Sequence, residues 1–124
     1  MATYVTRWFD RWAKKQGVEY RSLAAAVRDM KDGLYDADLG GGLLKKRIAR
    51  TGEGKSGGFR VLVATNKGDV WFFVFGFAKN ARSNIDKDED EALKKLATSL
   101  LALSPASLAK AQHANELKEV EDNA

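Results

Sequence analysis

An α+β fold follows from this 124-residue sequence: a small antiparallel sheet, with N-terminal helices on one face and further helices at the C-terminal end. Three observations predict it. Strand-like runs concentrate between Leu43 and Phe77 and are separated by turn residues with no helical stretch between them, the arrangement that pairs antiparallel. Helical spacing brackets that region, with Leu23, Ala26, Val27, Met30 and Leu34 before it and Leu93, Leu96, Ala97, Leu100 and Leu101 after it. The length suits one domain spanning residues 1–124, which can bury roughly two-thirds of its unfolded surface.

The elements follow in order. Thr3–Phe9 is β-branched and aromatic and predicts a short strand. Asp10 suits the N-cap of a brief helix, Arg11–Gln16, ended by Gly17, and Trp8 and Trp12 read as packing residues. Ser22 caps the next helix, with Gly33 near its end, and Tyr35–Gly42 reads as a loop closed by Gly40, Gly41 and Gly42. Leu43–Arg50 is a strongly basic strand, Thr51–Gly58 a glycine-rich turn and Phe59–Thr65 a strand. Asn66-Lys67-Gly68 signals a hairpin. Asp69–Phe77 is apolar on both faces and therefore central, with Trp71, Phe73, Phe75 and Phe77 on one side and Val70, Phe72 and Val74 on the other. Asp86 or Asp88 starts a helix, and Ser104-Pro105 starts a last one reaching Lys118. The acidic residues from Glu116 onward predict a frayed tail over 116–124.

Charge is the most informative property. Between Lys45 and Arg82 nine basic residues face two acidic ones, a net +7, whereas the whole chain carries +4 and the remainder therefore nets −3. Basic charge gathered on a sheet is the footprint of a protein that grips phosphates. The functional alternatives shrink quickly. With no cysteine there is no disulfide, zinc-thiolate site or thiol nucleophile. His113 is the sole histidine, sits in the last predicted helix and reads as a surface residue, which leaves a serine-type triad without a base. The carboxylates Asp86, Asp88, Glu89, Asp90 and Glu91 favour a helix N-terminus and suggest no metal site. Residues 1–12 are broken by Arg7, Asp10 and Arg11 and do not form a signal peptide; the longest apolar run, Val70–Phe75, is far below the ~20 residues that span a bilayer. A cytoplasmic protein with no membrane partner is expected.

Two motifs tempt. Gly52-Glu53-Gly54-Lys55-Ser56-Gly57 matches G-x-G-x-x-G, but a strand follows it where a dinucleotide site needs a helix N-terminus. Gly54-Lys55-Ser56 resembles a P-loop, yet Ala49 stands where glycine is required. Both are read as a hairpin connection that presents Lys55 beside the basic strand. The aromatic run Trp71–Phe77 is read as core, and edge protection could explain some charge on Leu43–Arg50. It explains Arg60 less well, since a charge at the start of an interior strand needs a partner or a cleft.

The strings Leu39-Gly40-Gly41-Gly42-Leu43-Leu44-Lys45-Lys46-Arg47-Ile48-Ala49-Arg50, Gly54-Lys55-Ser56-Gly57-Gly58-Phe59-Arg60 and Trp71-Phe72-Phe73-Val74-Phe75-Gly76-Phe77-Ala78-Lys79-Asn80 resemble the RelE/HigB-type toxins of bacterial type II toxin–antitoxin systems. The resemblance implies a RelE-like, microbial-ribonuclease-type fold and a ribosome-dependent cut of mRNA. It further implies that the ribose hydroxyl is the nucleophile, with no cofactor or metal, and that basic side chains replace a histidine–glutamate pair. Arg60 matches the family's phosphate-binding arginine. Lys55, Lys79 and Arg82 join it as candidate catalytic residues, and Lys45, Lys46, Arg47 and Arg50 as RNA-binding ones. The chain departs from the family in having no tyrosine after Tyr35, which leaves the general base unassigned. Implied partners are the ribosome, mRNA and a cognate antitoxin of helix-turn-helix type, which alone would contact operator DNA; an acidic or helical antitoxin segment suits the basic cleft. The alternatives are a ParE-like inhibitor of DNA gyrase and a non-catalytic nucleic-acid-binding module.

Overall fold

The computed structural model describes residues 2–49 and 58–121. Arg50, Lys55 and nearly all of the expected glycine-rich turn lie outside the described residues, as do positions 122–124. Among the described residues the elements run β1 (Ala2–Thr6), α1 (Arg7–Gln16), α2 (Tyr20–Lys31), β2 (Ala37–Gly40), β3 (Leu43–Ile48), β4 (Phe59–Thr65), β5 (Val70–Ala78), α3 (Lys87–Leu101), α4 (Pro105–His113) and β6 (Leu117–Val120). The class is α+β. The sheet order is β2-β3-β4-β5-β1-β6. Every neighbouring pair is antiparallel except β1 and β5, which run parallel from Ala2↔Val70 to Val5↔Phe73. The sheet is thus larger than expected, and mixed.

Two cores sandwich it. On one face Phe9 and Ala13 of α1, and Leu23, Val27 and Met30 of α2, pack on Val61, Val63, Trp71 and Phe73. On the other, Leu93 and Ala97 of α3 pack on Leu43, Leu62, Ala64, Phe72 and Val74. The missing side chain of Gly76 matters here. A Cβ at that position would lie 2.5 Å from Cζ3 of Trp12, so only glycine lets the indole rest against β5.

Several expectations change. The strand read over Thr3–Phe9 stops at Thr6, whose hydroxyl accepts the Phe9 N–H at 3.2 Å and caps α1. Trp8 and Phe9 are therefore helical. Trp12 packs as expected, but Trp8 is 47% exposed. α2 begins at Tyr20, two residues ahead of Ser22, and ends before Leu34, which is exposed. Tyr35–Gly42 is no simple loop, because Ala37–Gly40 forms the edge strand β2 against β3. Asp38 and Gly40 carry little strand propensity, so the pairing comes from β3 and from the left-handed backbone of Gly40, Gly41 and Gly42 (φ 82°, 63° and 81°) that turns the chain. β3 is consequently an interior strand, which removes edge protection as the reason for its charge.

A bulge corrects the facing of β5. Leu62 pairs with Phe75 and Val63 with Phe73, which leaves Val74 as the extra residue. Past it the alternation inverts, so Phe77 joins Phe72 and Val74 on the α3 side while Trp71 and Phe73 face α1 and α2. The last helix ends at His113 and does not reach Lys118. Leu117–Val120, expected in the frayed tail, forms β6 antiparallel to β1. Leu117 and Val120 are both buried, one in each core. Their i, i+3 spacing fits a helical turn, yet in a strand it sends one residue to each face.

Candidate nucleic-acid interface

The alternation of β3 and β4 divides the basic residues between the two faces. Directly paired residues project to the same side of a sheet. Arg47 pairs with Arg60, and Arg60 with Phe77, so the three form a row across β3, β4 and β5 on the α3 face. Lys45, opposite Leu62, shares that face. Lys46 does not. Its ammonium lies 3.1 Å from the Asp29 carboxylate of α2 and is mostly buried against the opposite face. Lys45 and Lys46 therefore project to opposite faces of the sheet.

Arg60 is the centre of the row. Its side chain is 16% exposed, and its Nε forms an ion pair with Oδ2 of Asp36 at 2.9 Å. Nη1 is buried with no hydrogen-bond partner among the described residues. A buried guanidinium N–H without an acceptor is costly, and a phosphate oxygen is the acceptor that suits it. Asp36 steadies one edge of the guanidinium and leaves Nη1 without an acceptor among the described residues.

Arg82 closes the row from the loop after β5. Its guanidinium lies 5.5 Å from the centroid of the Phe77 ring. Nε donates to the Asn84 carbonyl at 3.0 Å, Nη1 donates to Oε2 of Glu89 at 3.0 Å, and Nη2 donates to Oε1 of the same carboxylate. Glu89 is also the third residue of the α3 capping box, accepting the Asp86 N–H while Asp86 accepts its own. The start of α3 and the position of Arg82 are thereby coupled. Lys79 continues the β5 edge, its N–H donating to the Gly58 carbonyl and its ammonium donating to the Ser83 carbonyl, both at 3.0 Å.

Of the candidates, the structure brings together Arg47, Arg60 and Arg82, with Lys45 on the same face. Lys46 stands apart, and Arg50 and Lys55 lie outside the described residues. Asp36 and Glu89 escaped the sequence reading as partners. The Asp86-x-x-Glu89 spacing is a local signal that could have tied Glu89 to the helix start, but nothing local linked Asp36 to Arg60, which is 24 positions on. His113 ends α4, which packs on β6 at the edge of the sheet away from β3. Among the described residues no group of histidine and carboxylate side chains is arranged to hold a metal ion, and no helix is long and apolar enough to cross a membrane.

The Arg82 anchor has an acid limit. Its hydrogen bond, helped by the Asp86 N–H, holds the Glu89 carboxyl below its ordinary value of 4.5. A depressed carboxyl contributes stability that is complete above the unfolded pKa and is lost as pH falls through the folded one. Urea midpoints are thus expected to fall on acidification below pH 4.5, and Glu89→Gln should flatten that fall. An unchanged acid limb in the variant would remove Glu89 from the explanation.

Compared with models of known families, residues 1–120 match the RelE toxin of the RelE/RelB toxin–antitoxin system. A search of curated proteins finds no match to the chain. The family match spans nearly the whole chain and every element described above, so this chain belongs to the RelE toxin family, the toxin half of a toxin–antitoxin system that acts with a cognate antitoxin.

Proposed function

We propose that the chain is an endoribonuclease that cuts mRNA in the decoding site of the ribosome and thereby stops translation. The observation that carries this reading is the row Arg47–Arg60–Arg82, with the buried Nη1 of Arg60, unpartnered among the described residues, at its centre. In the reaction the ribose 2′-hydroxyl attacks the adjacent phosphorus. The 2′-O–P bond forms, the P–O5′ bond breaks, and a proton passes from the 2′-hydroxyl to the 5′-oxygen by way of the solvent or a basic side chain. The products are a 2′,3′-cyclic phosphate and a 5′-hydroxyl end. Arg60 would hold the non-bridging oxygens as charge builds on them, with Arg47 and Arg82 on the flanking backbone. Lys45, on the same face, would carry the proton, and Lys79 would extend the electropositive track. Residues 1–124 act as one domain, the antitoxin is of helix-turn-helix type, and operator DNA is reached only through it.

Primer extension shortly after induction in a bacterial host tests this. Discrete cuts inside translated frames, lost when translation initiation is blocked, are expected. Intact transcripts with a DNA-damage response would point to gyrase, and intact transcripts with normal growth to a binding module.

A further inference from the structure

None of the four residues of β2 is buried, yet the strand is firmly held. Just ahead of it the Asp36 N–H donates to the Lys45 carbonyl at 2.8 Å. The Asp38 carboxylate accepts from the Lys67 ammonium at 2.7 Å and from the Gly40 N–H at 3.0 Å. The turn that follows is seated against α3, where a Cβ on Gly42 would lie 2.8 Å from Cδ1 of Leu101. A strand so fixed, and burying so little, does something other than fill the core. It delivers one charged side chain to the basic row: Asp36, whose Oδ2 lies 2.9 Å from Nε of Arg60. A carboxylate is an unwelcome neighbour for a phosphate site. Its charge repels the anion that Arg60 is to bind, by about threefold in affinity for unit charges ~6 Å apart in water. Nor does Arg60 need it to stay charged, since a guanidinium keeps its proton without help. What Asp36 supplies is direction. Arg47 stands directly opposite Arg60 on β3, and like charges so placed repel. A long, flexible side chain pushed from one side needs a hold on another.

We propose that Asp36 is a positioning residue, which holds the Arg60 guanidinium against the push of Arg47 and aims it at the reacting phosphate, at some loss of affinity for RNA. The proposal rests on the ribonuclease reading and adds how its central arginine is aimed. It gives β2 a purpose, because the edge strand is the mount for this one carboxylate. It also separates two effects that a plain loss of structure would join. Repulsion between Asp36 and the phosphate acts on bound substrate as well as on the transition state, whereas the aim of Arg60 matters most as charge develops on the phosphate oxygens. Removing Asp36 therefore slows the chemical step without weakening binding.

The test is single-turnover cleavage of mRNA on programmed ribosomes, with the full chain in varied excess, which separates the rate constant from the half-saturating concentration. Asp36→Ala is expected to lower the rate constant about tenfold. The half-saturating concentration should not rise, and should fall by up to about threefold. Asp36→Asn keeps an oxygen beside Arg60 and loses the charge, so its rate should lie between; being isosteric, it also serves as the second variant should alanine perturb the chain ahead of β2. Arg60→Ala combined with Asp36→Ala should cleave no more slowly than Arg60→Ala alone, because Asp36 acts through that arginine. Asp38→Ala loosens β2 without touching Arg60 and should keep the rate within about twofold. An unchanged rate constant in both Asp36 variants overturns the proposal. So does a half-saturating concentration that rises as the rate falls, or a loss that Asp38→Ala matches, since either assigns the effect to the strand as a whole. Additive losses in the double variant overturn it too, by making Asp36 act independently of Arg60. Absence of cleavage by the unaltered chain would overturn the ribonuclease reading itself, and this proposal with it.

Discussion

Arg60→Ala is expected to cut mRNA cleavage by at least about 10²-fold, the usual effect of removing one preorganised donor from a developing oxyanion. The fold should survive. The substitution removes a guanidinium whose Nη1 already lacks an acceptor, and the Asp36 carboxylate it releases is 30% exposed and can take water instead. A change in melting temperature within about 3 °C is expected, as for a substitution that opens no large cavity. Arg60→Lys keeps the charge but loses the planar fork, so that Asp36 and a phosphate can no longer be held at once; its activity should fall between the two. Primer extension and growth curves read the first effect, and thermal melts read the second. A folded, well-expressed Arg60→Ala protein that still yields cuts at the same positions would sink the assignment of this row.

The largest loss of stability is expected at Trp71. Its side chain is fully buried between β5 and the helices α1 and α2, and its indole N–H donates to the Gly68 carbonyl at 3.1 Å. Trp71→Ala should cost about 4 kcal/mol, because so large a void does not collapse and the hairpin carbonyl loses its donor. For a chain of this length that is a drop of about 15 °C in melting temperature. Trp71→Phe should cost about half as much. Urea unfolding measures both, and a loss under about 1 kcal/mol for the alanine variant would mean that the hairpin repacks.

What could be read in advance follows from locality. α3 was legible because Asp86, Glu89, Leu93 and Ala97 lie within a few turns of one helix and carry both its cap and its stripe. β4 and the hairpin at Asn66–Gly68 were legible for the same reason. β2 was not, because Ala37 and Asp38 become a strand only when β3 lies alongside. β6 was not, because four residues with two apolar ones three apart satisfy a helix and a strand equally, and β1, more than 100 positions away, decides between them. The site divides the same way. The alternation of each basic strand could be read in the sequence, but which face of β3 joins Arg60 needed the register of β3 on β4. The same register, together with the bulge at Val74, put Phe77 beneath Arg82.

The seat of β1 between β5 and β6 has a kinetic consequence. The β4–β5 hairpin closes over a four-residue loop and can form within microseconds. β1 finds a parallel partner only at Val70 and an antiparallel one only at Val120, so its pairing awaits the closure of very long loops. Until then β5 presents an unpaired apolar edge, an aggregation-prone stretch in a refolding chain. Refolding from urea should therefore show a yield that falls with protein concentration, and a free peptide of the β1 sequence added in trans should restore it by occupying that edge.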